Sequence, residues 1–114
     1  ALHKIYIQRL DGPIFFGSIT GFNKVMHQVP DNAKVVILRM KRVKSMDQSG
    51  VYAMETAVKE LQERGIIVLM TIIQPQPEYL LNKMDFIPDV IKPEHTFKTF
   101  EDCTEFLKKL DVFK

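Results

Sequence analysis

A carboxylate, an amide, a hydroxyl and a glycine stand in a row at Asp47-Gln48-Ser49-Gly50. A carboxylate ahead of an apolar helical stripe can cap the first turn, and a hydroxyl just inside it lies where backbone N–H groups have no intrahelical partner. Such a place attracts anions and can be chemically switched. Phosphate on Ser49 would add a charge of about −1.5 to −2 near the positive end of the helix dipole, but beside Asp47, so attraction and repulsion compete. Ser49 is therefore a candidate regulatory residue and not a nucleophile, because no histidine base lies near it in sequence. Asp11 and Asp47 are accounted for as turn and cap residues, which leaves no general acid and base pair.

Metal and phosphate-loop chemistry find no support. His3, His27 and His95 are far apart, and neither Cys103 nor any carboxylate falls at a ligand-like interval from them. Gly12, Gly17 and Gly21 fit neither a Walker nor a dinucleotide pattern. No metal, no cofactor and no enzymatic activity are expected. Immediately before Asp47, Arg39, Lys41, Arg42 and Lys44 place four cations in six residues. They read as a solvated loop or as a contact patch, since anionic lipid head groups attract a nearby cation by about 1 kcal/mol each. Acidic loops would be an equivalent target. Phe15 and Phe16 form a second candidate surface if one ring of the pair points outward.

The elements that position these residues follow from periodicity. Ile5, Ile7 and Leu10 amid polar neighbours predict a half-buried strand. Asp11-Gly12-Pro13 and then Ile14-Phe15-Phe16 predict a β-hairpin over residues 4 to 16. Ile19, Phe22, Val25 and Met26 recur at helical spacing, with Ser18 as the expected cap. Val35-Val36-Ile37-Leu38 is a strand covered on both faces. Val51, Met54, Ala57, Val58 and Leu61 form the stripe of the clearest helix, which ends at Gly65. Ile66 to Ile73 is a further buried strand, broken by Gln74-Pro75-Gln76-Pro77 before a helical segment through Met84. Val90-Ile91 or Phe97 supplies a weak edge strand, and Thr99 with Asp102 caps a last helix carrying Phe100, Cys103, Leu107 and Leu110.

Alternation of strands and helices demands crossovers, hence an α/β fold. The expectation is a mixed, mostly parallel sheet of four to five strands with helices mainly on one face. With 114 residues, 46% of them hydrophobic, the chain is sized for one domain over residues 1–114. A lone cysteine points to a reducing compartment. A net charge of +2 without an aromatic RNA-binding motif argues against nucleic acid as a partner.

Val35 to Met40, a short basic link, and Met46-Asp47-Gln48-Ser49-Gly50-Val51 opening a helix resemble the STAS family. That family includes anti-sigma factor antagonists and the C-terminal domains of sulfate-permease-like (SulP) transporters, and carries Asp-x-Ser-Gly at this place. The likeness extends over nearly the whole chain, including Arg64-Gly65-Ile66-Ile67 at a strand start. Gly12-Pro13-Ile14-Phe15-Phe16-Gly17 is similar to the transporter branch. Gln48 departs from the small hydroxyl residue of many relatives, which speaks against a kinase docking as it does on the antagonists. The resemblance implies a non-enzymatic regulatory domain on the cytoplasmic side of the membrane, working on the transmembrane part of its own transporter chain. Assembly as a homodimer or with a regulatory protein, weak nucleotide binding and phosphorylation of Ser49 are implied on the same ground alone. The alternative within the family is a stand-alone antagonist that switches partners when Ser49 is phosphorylated.

Overall fold

The computed structural model describes residues 4–110. Its core is a sheet whose spatial order is the sequence order: β1 (Ile5–Asp11), β2 (Val35–Arg42), β3 (Ile67–Thr71) and β4 (Thr96–Phe97). All three ladders are parallel, running Ile5↔Val35 to Arg9↔Arg39, Val35↔Ile67 to Arg39↔Thr71, and Met70↔Thr96 with Thr71↔Phe97. Parallel neighbours need a crossover, and the helices α1 (Ile19–Met26), α2 (Gln48–Glu63), α3 (Pro75–Lys83) and the single turn α4 (Phe86–Asp89) supply them. A last helix, α5 (Phe100–Lys108), follows β4.

The β-branched run of β2 is buried from both sides. Val35, Val36, Ile37 and Leu38 have no exposed surface, each adding about 1.5–3 kcal/mol of burial. Val36, Leu38 and Met40 face the larger core, where Phe22 and Met26 of α1, Val51, Met54, Val58 and Leu61 of α2, Leu81 and Phe86 converge. Val35 and Ile37 face the other way, with Leu69, Cys103 and Leu107, so among the described residues α5 is the helix that covers that side. The helices thus lie mainly on one face, as the sequence predicts.

Three local expectations are corrected. The hairpin over residues 4 to 16 does not form, because the chain beyond Asp11 continues in the direction of β1. Gly12 N donates to Arg42 O at 3.2 Å and Ile14 N to Ser45 O at 3.1 Å, and Ile14 bridges Met46 in parallel. With those donors satisfied by the end of β2 and the stretch after it, a returning strand has nothing to pair with; Gly12 provides the bend at φ +80. No antiparallel strand remains among the described residues, and their sheet is parallel rather than mixed. β3 ends at Thr71, since Ile72 turns into the left-handed region at φ 56, and Ile73 is not part of it. Val90-Ile91 is not a strand either: Val90 N donates to Phe86 O at 2.8 Å and Ile91 N to the same oxygen at 3.0 Å, which closes the α4 turn.

Candidate functional site

The Asp47 carboxylate joins two segments that are remote in sequence. Oδ1 accepts from Gly50 N at 2.8 Å, the expected cap of α2, and Oδ2 accepts from Phe16 N at 3.2 Å. The main chain adds a third tie, Asp47 N to Ile14 O at 3.2 Å. Asp47 therefore fixes the Ile14 to Phe16 turn against the start of α2. Gly50 is required by the same contact, because a Cβ there would lie 2.2 Å from Ile14 O. The backbones touch, and only a residue without a side chain permits it.

Within the turn, Ser18 serves a different role from the helix cap expected of it. Its Oγ accepts from Phe15 N at 3.0 Å and lies 3.0 Å from Pro13 O and Phe15 O, to one of which it donates. The loop is closed on itself, and α1 begins without a side-chain cap. Phe15 and Phe16 are left outside, 44% and 78% exposed. Ser49 is half-buried in the first turn of α2, and no hydrogen bond engages its Oγ among the described residues. Gln48 is exposed. The candidate switch residue, the cap and the aromatic pair are thus brought to one region.

The cationic stretch is divided by the pleat of β2. Arg39 and Lys41 share the face covered by α5, where the Arg39 guanidinium lies 5.6 Å from the centroid of the Phe100 ring. Arg42 pairs with Asp11 at 3.8 Å, and Lys44 donates to Gln74 Oε1 at 3.2 Å. Two residues that sequence reasoning treats only as strand breakers hold the neighbouring loop. Gln76 Oε1 accepts from Met46 N at 2.8 Å while its Nε2 donates to Met46 O at 3.0 Å. The carboxamide of α3 clamps the residue next to Asp47 from both sides. No signal in the Gln-Pro-Gln-Pro run reveals it, since the contact spans 30 positions.

His27 follows α1, His95 precedes β4 and packs on Phe106 of α5, and His3 is outside the described residues. Among the described residues no group of three or more histidines, cysteines or carboxylates could hold a metal ion. No helix among them is long and apolar enough to cross a membrane. Burial pushes the Cys103 thiol up to about 11. It is a core residue rather than a reactive thiolate.

A protein-family model described as STAS domain matches residues 2–103. The sulfate transporter candidate YvdB of Bacillus subtilis (strain 168) is 27% identical over 102 residues, which make up 89% of this chain and 19% of that protein. The chain thus spans about a fifth of the length of the curated relative it matches. Among solved structures, a sulfate transporter family protein from Wolinella succinogenes superposes with a TM-score of 0.80 at 27% identity, over 92% of this chain and 85% of that one. The SulP transporter STAS domain from Vibrio cholerae does so with a TM-score of 0.77 at 24% identity, over 96% and 85%. The murine anion transporter Slc26a9 contains the same fold, with a TM-score of 0.83 at 19% identity, over 94% of this chain and 18% of that one.

Proposed function

The chain belongs to the STAS domain family, and from that premise we propose that it is the regulatory and interaction domain of a SulP-type anion transporter. The reading is a single domain on the cytoplasmic side of the membrane that performs no catalysis and needs no cofactor. Its partner is the transmembrane part of its own chain. The observation that supports this most is the aromatic pair Phe15 and Phe16, exposed yet tied by backbone hydrogen bonds to Asp47 and Ser18. An exposed apolar group held rigidly loses little entropy on docking, which favours a contact surface over a loose loop. The half-buried Ser49 beside it is the place where added charge would alter that contact. The cations of β2 lie elsewhere on the sheet and are suited to acidic loops or lipid head groups.

The test is anion uptake by the full-length protein carrying Phe16→Ala or Ser49→Asp, with the stability of each variant domain measured by denaturant titration. Phe16→Ala is expected to leave stability within about 0.5 kcal/mol, as for exposed positions generally, while changing uptake. Unchanged uptake in both variants would overturn the docking surface. A native reading frame without membrane-spanning segments would overturn the transporter reading itself.

A further inference from the structure

Arg9 and Arg39 are direct partners across the parallel β1–β2 ladder, and both side chains fall on the face that carries Ile5 and Ile37. Lys41 follows on the same face two residues along β2. Adjacent strands are about 4.8 Å apart, so two arginine side chains leave the sheet from directly adjacent positions, and like charges opposite one another destabilise a sheet unless something neutralises them. Among the described residues no carboxylate pairs with either arginine. The ion pairs among the described residues are Arg42 with Asp11, Lys59 with Glu55, Arg64 with Asp31 and Lys108 with Glu105, and none involves Arg9, Arg39 or Lys41.

The same residues surround a cavity of about 100 Å³ lined by Arg9, Leu10, Asp11, Arg39, Lys41 and Arg42. That is well above the ~15 Å³ a single water needs. Four cations meet one carboxylate there, and that carboxylate, Asp11, is already engaged by Arg42 at the rim. Arg39 is further oriented by its position over the Phe100 ring. Neighbouring planar forks with a lysine beside them suit a tetrahedral oxyanion, to which each arginine can offer two parallel N–H donors. The geometry points to an oxyanion site at the edge of the sheet, formed by Arg9, Arg39 and Lys41, that takes a phosphate group, either free or as the head group of an anionic phospholipid. The site requires nothing of the Phe15–Phe16 surface, so its failure and the failure of the docking reading are separate results.

Two arms distinguish the sources. In one, thermal unfolding of the 114-residue chain is followed against inorganic phosphate, with sodium chloride at matched ionic strength as the control. In the other, the chain is sedimented with phosphatidylcholine vesicles with and without phosphatidic acid. Binding in either arm is expected, and the arm in which it occurs identifies the source. Arg9→Gln and Arg39→Gln should each weaken that binding about tenfold, the scale of one charge-assisted hydrogen bond, whereas Lys24→Gln, which removes an exposed cation of α1 on the other face of the sheet, should leave it unchanged. Without ligand, Arg9→Gln should raise the melting temperature, because it removes repulsion and breaks no ion pair among the described residues. That sign distinguishes a ligand site from an ordinary structural arginine. The proposal is overturned if the wild-type chain responds in neither arm. It is equally overturned if Lys24→Gln weakens binding as much as Arg9→Gln does, which would indicate diffuse attraction to positive charge.

Discussion

Gly50 shows how a short motif can be dictated by packing before any chemistry. The carbonyl of Ile14 occupies the place where a Cβ would stand, at 2.2 Å, and the obstacle is backbone, which cannot swing aside. In a free helix, glycine to alanine would gain about 1 kcal/mol from propensity. Here the clash should exceed that gain, since overpacking costs about 1–3 kcal/mol and more where backbone must move. Gly50→Ala is expected to destabilise the domain by about 2 kcal/mol in denaturant titration, and a neutral or stabilising result would refute the contact. At this scale the sequence is partly legible. Asp47 is recognisable as a cap from its place ahead of an apolar stripe, and its Oδ1 bond to Gly50 agrees. Its second bond, to Phe16 N, is not recognisable, because 31 positions separate the partners and no local pattern encodes them.

At the scale of elements, each strand and helix with a long apolar signature is where periodicity puts it, and the losses occur where the chain turns. Ile14 belongs to an apolar triplet and looks like a strand, yet it makes a single parallel bridge, because the donors around it are taken by the stretch after β2. Ile72 sits in an unbroken apolar run, but it adopts φ 56, a conformation that costs a β-branched residue about 1–3 kcal/mol. Surrounding contacts must hold it there. Its N–H donates to Phe97 O at 2.9 Å and its carbonyl accepts from Gln74 Nε2 at 3.3 Å, which directs the chain into α3 and sets Gln76 against Met46. Removing that clamp leaves a backbone donor and acceptor of buried Met46 without their partners. Gln76→Ala should therefore cost about 1–2 kcal/mol, the scale of an unsatisfied polar group with partial access to water. Gln74→Ala breaks an exposed bond to Lys44 and a long one to Ile72, and should cost less than about 0.5 kcal/mol. Chemical denaturation of the two variants side by side checks the contrast, and equal losses would mean that the loop is held by something other than Gln76.

The whole molecule is asymmetric across its sheet, and this sets where it opens first. Among the described residues four helices share the larger core, whereas the α5 face buries Val35, Ile37, Leu69, Cys103 and Leu107, with partly covered neighbours around them. A thin layer detaches at lower free energy than the unit beneath it. Cys103 reports such an opening, because its thiol is buried and held protonated in the closed state, with burial pushing it up to about 11. His95 makes the opening sensitive to acid. It lies edge-on to the Phe106 ring of α5 at 5.4 Å, and burial first, then the nearby Lys92, lower its pKa from 6.5, with Glu94 opposing. A histidine lowered in the closed state takes up a proton more readily once α5 has moved away. The stabilisation it gives the closed form is therefore present above pH 6.5 and is lost as pH falls through that value and then through the lowered one. The prediction is that amide exchange in α5 is faster than in β2 at neutral pH and, after correction for the intrinsic pH dependence of exchange, gains further on β2 as pH falls below 6.5. In His95→Gln the acid dependence should flatten while β2 is unaffected. Uniform protection of both elements, or an acid response that survives in His95→Gln, would show that α5 opens only with the whole sheet or through another group.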